Sequence, residues 1–545
     1  MASIAVPDPS STREAFADWR ARVARDWLAD DPHFVSLVPD FPELRPFAAR
    51  CATEVNAWTK NTNRDEHLPR LERFDPDGHR TEAIVHHPDH MRIGEAIWGA
   101  DLLGRYRQPG HERETFGLLY LLSQNGEGGW CCPMACTAGM IKVCQQASDL
   151  PAGWLDRLLD ADFGKMLFAS QFLTEIQGGS DVGANAVVAR PAEGEAGAAG
   201  WWALTGEKWF CSVIDANLFL VTARPSGATG GTAGLQAFVV PRALPGLDPR
   251  DPSSEPNRYA VRRLKWKLGT RSMASAEIDL EGALGWPVAD FARTVEIVLN
   301  TSRHYNAVCA AGILQRAWRE ADGWARTRVA FGRPIVEFPG VARSLAKLRC
   351  EAHAARSLTF DLAKIGDELA VGPDVALATA WRMLVNLNKI WTALTCPAGV
   401  RDAMEVVGGN ATIEEFTILP RLLRDSLVLE AWEGAHGVLC AQLLKDAKKG
   451  MHLPMFAYLR SVAPAGSVAS IDALAALWDS TLARPDREVV WRDLVEQSRA
   501  PVQAMLMRAQ GVESAVVEHF VNLHDRAWDP LQDPRLDARL RAVIR

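Results

Sequence analysis

Leu173-Thr174-Glu175-Ile176-Gln177-Gly178-Gly179-Ser180-Asp181 marks a change of texture in the chain. Two glycines followed by Ser-Asp let backbone N–H groups converge, and the hydroxyls of Thr174 and Ser180 add polar contacts. Such a loop can hold the polar edge of a ring or a phosphate; taken alone, it is equally a plain glycine turn. Beyond it, to about residue 285, come short alternating segments: Trp202-Ala203-Leu204-Thr205, Leu218-Phe219-Leu220-Val221 and Gln236-Ala237-Phe238-Val239-Val240. Gly, Pro and Asp clusters separate them, the texture of a compact antiparallel β domain. The Gly/Ala/Ser-rich stretches 192–200 and 225–235 read as surface loops.

Before the loop, residues 1–165 read as helices with loops; Leu118, Leu121, Leu122 and the small-residue run 134–140 fit buried helix packing. After the β module the helical signal returns. Ala307, Ala311, Leu314, Trp318, Ala321 and Ala325 recur at three- and four-residue steps, one apolar stripe of a long helix. A second helical stretch covers 367–408, with a break at Pro373. Helices, then a β module, then helices imply a segregated α+β architecture, mostly α, without a βαβ sheet. The expected division is an N-terminal helical domain (1–165), a central β domain (166–286), a C-terminal helical bundle (287–449) and a helical extension (450–545).

The bulk numbers bound the function. The chain has 545 residues, 48% apolar and 23% charged, which suits two or three packed globular domains. A formal net charge of -7 points away from nucleic acid and membrane surfaces. No run reaches ~18 apolar residues, so no transmembrane helix is expected. The N-terminus lacks an apolar targeting core and acidic residues arrive early, so a cytoplasmic location is expected. Of ten cysteines, Cys131, Cys132 and Cys136 cluster, but no second Cys/His pair follows at zinc-finger spacing. Buried, reduced thiols are expected. The 19 Trp against 5 Tyr read as packing.

Three further motifs follow. Gly206-Glu207-Lys208-Trp209-Phe210-Cys211-Ser212 sets an aromatic pair and a hydroxyl on one strand, suited to a planar cofactor or to a core. Arg326-Thr327-Arg328-Val329-Ala330-Phe331-Gly332-Arg333-Pro334 closes the long helix. Glu405-Val406-Val407-Gly408-Gly409-Asn410 precedes Pro420-Arg421-Leu422-Leu423-Arg424-Asp425 and Trp432-Glu433-Gly434. In this order and spacing the four segments resemble the acyl-CoA dehydrogenase superfamily, over roughly residues 60–447. The resemblance is closer to its AidB branch, through the first motif, Lys208-Trp209-Phe210, Lys267 to Ser275, Trp432-Glu433-Gly434 and the C-terminal extension.

The resemblance implies an N-terminal helical domain, a central antiparallel β-barrel and a C-terminal four-helix bundle, with FAD as cofactor. It implies α-proton abstraction from an acyl thioester, with hydride transfer to flavin N5. Glu433 matches the catalytic base. Thr174 matches a contact to the flavin's pyrimidine edge. Gly179 and Ser180 match the cofactor loop, and Ser180 also lies near the thioester. Phe210 stands where the family usually stacks a Trp on the flavin, and Ser212 matches the hydroxyl beside N5. Arg328 and Phe331, with Gly408 and Gly409, match contacts to a neighbouring subunit's FAD. Arg303 matches an arginine near the substrate. It precedes Arg328 by 25 residues, ~37 Å along one helix, so the two serve different sites and a homodimer or homotetramer is implied. The partners implied are an acyl-CoA-like thioester and, for a dehydrogenase, an electron-transfer partner.

Three positions depart from the family: Ala435 for the usual Thr, His436 after it, and Glu405 for Gln. His436 reads as a packing or surface histidine. His86-His87-Pro88-Asp89-His90 invites a metal reading, but Pro88 interrupts the segment and no metal is expected. The rival function, an AidB-type DNA-binding role in the alkylation response, asks for a basic extension. Residues 451–545 carry 11 Arg, no Lys and 12 Asp plus Glu, a net of -1, which disfavours DNA.

Overall fold

The computed structural model describes residues 9–147, 150–525 and 527–545. The stretch read above for targeting signals begins in residues 1–8, outside the described ones. The chain forms two compact units. One comprises Ala57–Gln108 and Glu127–Tyr305; the other comprises the chain up to Asn56, Pro109–Gly126 and Asn306–Arg545. Both draw on the segment expected to form an N-terminal domain.

The first unit includes a hairpin, β1 (Arg70–Phe74) and β2 (Arg80–Val85). Seven strands follow: β3 (Ala169–Phe172), β4 (Val188–Pro191), β5 (Trp202–Ser212), β6 (Leu218–Pro225), β7 (Gln236–Pro241), β8 (Tyr259–Leu264) and β9 (Ser275–Val288). They pair in the order β3-β6-β4-β5-β9-β7, and β7 pairs back onto β6. Strands β6, β4, β5, β9 and β7 therefore close a ring, each with a neighbour on both sides. β8 pairs with β9 outside that path. The barrel is mostly antiparallel, as expected, but β3 and β4 run parallel to β6. Six consecutive residues of β6 are buried, so it packs on both faces and reads as a continuous apolar run.

The β1–β2 hairpin corrects the reading of residues 1–165 as helices with loops. Its turn, Asp75-Pro76-Asp77-Gly78, carries the signal: Gly78 sits at φ +84°, and the Asp75 carboxylate accepts the N–H groups of Asp77 (2.9 Å) and His79 (2.8 Å). Four of the five β1 residues are exposed, so no apolar alternation betrays the strand.

The second unit is helical. Helix Phe291–Thr327 runs unbroken for 37 residues, contributing its part from Asn306 onward. Helices Pro339–Val371, Val375–Val407, Leu419–Ala431 and His436–Ala447 follow. The break falls at Pro373, as expected. Asp374 caps the next helix by accepting the N–H groups of Ala376 (2.8 Å) and Leu377 (3.0 Å). The extension shares this unit's core. Trp391 Nε1 donates to the Val495 carbonyl (2.8 Å), and Trp478 Nε1 donates to Ser498 Oγ (2.9 Å). Trp478 meets Trp491 edge to face, with centroids 5.1 Å apart. All ten cysteines are buried and none forms a disulfide. Among the described residues no helix is long and apolar enough to cross a membrane.

Candidate active site

In the barrel unit the loop after β3 is pinned by a buried ion pair. The Glu175 carboxylate accepts Lys208 Nζ at 2.7 Å, and both side chains are essentially inaccessible. It also accepts the backbone N–H of Ala186 (2.5 Å) and of Val187 (3.3 Å), and Gln177 Nε2 (2.8 Å). Lys208 donates a second bond, to Thr222 Oγ1 (3.1 Å). Burial pushes the Lys208 ammonium's pKa down, against the pull of Glu175. Glu175 and Lys208 stand inside two of the sequence motifs, but sequence reasoning assigned them no role. Nothing local shows that residues 33 apart neutralise each other.

That anchor positions the predicted side chains. The Trp209 N–H donates to the Thr174 carbonyl (3.0 Å), tying the loop to β5. A Cβ added at Gly179 would lie 2.7 Å from Thr174 Oγ1, so the loop folds closely over the Thr174 hydroxyl only because residue 179 has no side chain. The β5–β9 register slips between Lys208 and Cys211. This β-bulge leaves Lys208 and Cys211 buried and turns Phe210 outward, 52% exposed. Lys265 Nζ sits over the Trp209 ring, 3.6 Å from its centroid, and pairs with Glu277 (2.8 Å). Ser212 Oγ lies 3.1 Å from Ser275 Oγ, which accepts Lys267 Nζ at 3.0 Å. Thr174 and Gly179 thus meet in the loop, Phe210 and Ser212 follow on the strand that Trp209 ties to it, and Ser180 is exposed on the same loop. A hydroxyl under a close-packed glycine, an outward-turned aromatic ring and a second hydroxyl fit a flat, polar-edged cofactor. Arg303 lies in this unit too, 4% exposed on helix Phe291–Thr327.

His87 caps helix Pro88–Gly99. The ligand atoms of His86, His90 and Asp215 lie within 4.8 Å of one another. His86 Nε2 is 3.0 Å from Asp215 Oδ2. The His86 and His90 rings, however, stack face to face at 3.9 Å and 9°. Their in-plane lone pairs lie in parallel planes and so do not meet at one point, and a shared cation needs a ring to rotate. Asp215 lies far downstream of both histidines in the chain, beyond the reach of a spacing rule, and only the fold brings it to them.

In the helical unit, Arg328 follows helix Phe291–Thr327, with its guanidinium over the Trp324 ring (5.9 Å). Strands β10 (Val329–Ala330) and β11 (Arg333–Pro334) form a hairpin closed by Phe331 and Gly332. Both turn residues have positive φ, +52° and +81°. That geometry suits glycine at both positions, yet the first is a Phe, 89% exposed. Helix Val375–Val407 ends at Gly408, φ +75°, and a Cβ at Gly408 or Gly409 would meet open space.

Glu433 follows helix Leu419–Ala431 and is half-buried, at φ +57°. A non-glycine residue held there is strained backbone, the kind that persists where surrounding structure enforces it. On either side of it, Lys389 from helix Val375–Val407 donates Nζ to the carbonyls of Glu430 (3.0 Å) and Gly434 (2.8 Å). The buried Trp432 Nε1 has no acceptor among the described residues. His436 Nε2 lies 3.4 Å from Glu430 Oε2. Burial, then Lys389 and Arg492, push the His436 pKa down to about 4, so its ring is neutral near pH 7. Sequence reasoning named Glu433 and passed over Lys389.

Three family models match the chain: the acyl-CoA dehydrogenase C-terminal domain over 291–447, its middle domain over 170–283, and the adaptive response protein AidB N-terminal domain over 42–165. The putative acyl-CoA dehydrogenase AidB of Escherichia coli is 29% identical over 402 residues, 70% of this chain and 69% of that protein. Acyl-CoA dehydrogenase family member 11 of Caenorhabditis elegans is 29% identical over 426 residues, 74% and 66% of the two. The chain therefore spans about two thirds of these relatives' lengths. Among solved structures, Bd2924 in its apo-form superposes with a TM-score of 0.78 at 25% identity, covering 93% of this chain and 98% of that one. Caenorhabditis elegans ACDH-11 in complex with C11-CoA gives 0.80 at 23% identity, covering 98% and 93%, a likeness of fold. The chain belongs to the acyl-CoA dehydrogenase superfamily, in its AidB-like branch.

Proposed function

We propose that this chain is an FAD-dependent acyl-CoA dehydrogenase-like oxidoreductase in which Glu433 removes the α-proton of an acyl thioester. The observation that carries the reading is Glu433: a half-buried carboxylate at positive φ, in the Trp-Glu-Gly that ends the ordered motifs. FAD, when bound, supplies an acceptor for the β-hydride at N5, so that losing the α-proton and β-hydride leaves a Cα=Cβ double bond. Thr174, Gly179 and Ser180 would hold the cofactor's polar edge, Phe210 would offer it an aromatic face, and Ser212 a hydroxyl. Ser180 and Arg303 would bind substrate. Arg328, Phe331, Gly408 and Gly409 would serve the cofactor of a neighbouring subunit, making the working form a homodimer or homotetramer. The exposed Phe331 on its strained turn supports that role.

The relative solved with C11-CoA supports a CoA thioester as the substrate class. The dehydrogenase form of the reaction needs an electron-transfer partner; the oxidase form uses dioxygen. The DNA-binding reading draws no support from an extension with a net charge of -1. The test is anaerobic mixing of the FAD-loaded protein with butyryl-, octanoyl- and undecanoyl-CoA. Bleaching of the flavin absorption by at least one is expected. No bleaching with any, alongside tight and salt-sensitive binding of duplex DNA, would sink the reading.

A further inference from the structure

Lys389 lies midway along helix Val375–Val407 and is 0% exposed. Burying an ammonium is far costlier than burying an amide, so a charged side chain there calls for a reason. Its neighbours in the helix, Leu387, Ile390 and Trp391, belong to the apolar core. Nζ bonds two backbone carbonyls, those of Glu430 and Gly434. Glu430 lies in the last turn of helix Leu419–Ala431, where carbonyls lack intrahelical partners. Gly434 precedes helix His436–Ala447 and has φ +103°. One ammonium, with several donors on a compact tip, thus fastens the loop on both sides of Glu433.

We infer that Lys389 is a positioning residue for Glu433: it clamps the loop ends at Glu430 and Gly434 and so fixes the backbone that carries the base. The inference rests on the reading of Glu433 as the base. Catalysis is sensitive to such placement, since a misplacement of about 1 Å can cost about a hundredfold in rate.

The test compares FAD-loaded native protein with Lys389→Met, Lys389→Gln, Lys389→Arg and Glu433→Gln. The limiting rate of anaerobic flavin bleaching by octanoyl-CoA, or whichever of the three thioesters bleaches the native protein, is read beside the half-saturating thioester concentration and amide exchange across 431–435. Lys389→Met should lower the limiting rate by about a hundredfold with little change in half-saturation, and should speed exchange in 431–435 but not in the barrel. Lys389→Arg, which keeps charge and donors, should recover part of the rate. Lys389→Gln, which keeps donors without charge, should fall between, and carries the test if the Met variant does not fold. Native rate and native exchange in the Met or Gln variant overturn the inference. A Glu433→Gln protein that bleaches at the native rate overturns the base reading first, and this inference with it. Loss of bleaching in Glu433→Gln beside native behaviour in the Lys389 variants overturns this inference alone.

Discussion

Lys208→Met is the perturbation whose size the structure fixes best. It removes the ammonium 2.7 Å from Glu175 and leaves that carboxylate, 1% exposed, with only weaker help from the Ala186 and Val187 N–H groups and Gln177. Breaking one side of a buried pair costs about 3–5 kcal/mol, because the remaining charge is stranded. For a unit of this size the melting temperature should fall on the order of 10 °C. Adding Glu175→Gln removes the stranded charge, so the double variant should recover most of the loss. The assay is thermal unfolding followed by tryptophan fluorescence, read with FAD retention because the loop after β3 should loosen first. A Lys208→Met protein that melts within about 1 °C of native, or a double variant no more stable than the single, refutes the reasoning.

Phe210→Ala should weaken FAD binding about tenfold, the scale of one aromatic stacking contact, while barely moving stability, because Phe210 is 52% exposed; equilibrium dialysis of FAD checks it. Stability should also rise with pH between about 4 and 6.5. Burial pushes His33 down to about 3, and His436 and His519 to about 4, from 6.5. The folded state therefore binds fewer protons than the unfolded one in that window, and the stability present above pH 6.5 is lost as pH falls towards those values. Asp361 works the other way: burial raises it to about 6 from 3.8, so its contribution is present at low pH and is lost as pH rises through 6. Denaturant melts at about pH 5 and about pH 7 should show the histidines prevailing, with the midpoint lower at the acid value.

The sequence disclosed features whose signal is local or ordered along the chain. The apolar stripe from Ala307 to Ala325 became one helix, and the break at Pro373 follows from the ring's missing N–H. Other features depend on contacts between distant residues. The β1–β2 hairpin hid because β1 is exposed and charged and β2 is short, with charges at Arg80 and Glu82, and only Asp75-Pro76-Asp77-Gly78 advertised the turn. The bulge that turns Phe210 outward depends on β9, which no pattern in β5 specifies. The same holds for the meeting of Asp215 with His86 and for Lys208 with Glu175. Lys389 left one trace, an Asn386-Leu387-Asn388-Lys389 run inside an otherwise apolar helix, but its use depends on the loop around Glu433.

The central claim is that Glu433 is the base, and Glu433→Gln tests it most directly. The substitution keeps the size and removes the basic carboxylate. Purified with FAD and mixed anaerobically with the thioester that bleaches the native protein, the variant should hold FAD at native stoichiometry and leave its flavin oxidised. Flavin reduction at the native rate would contradict the account.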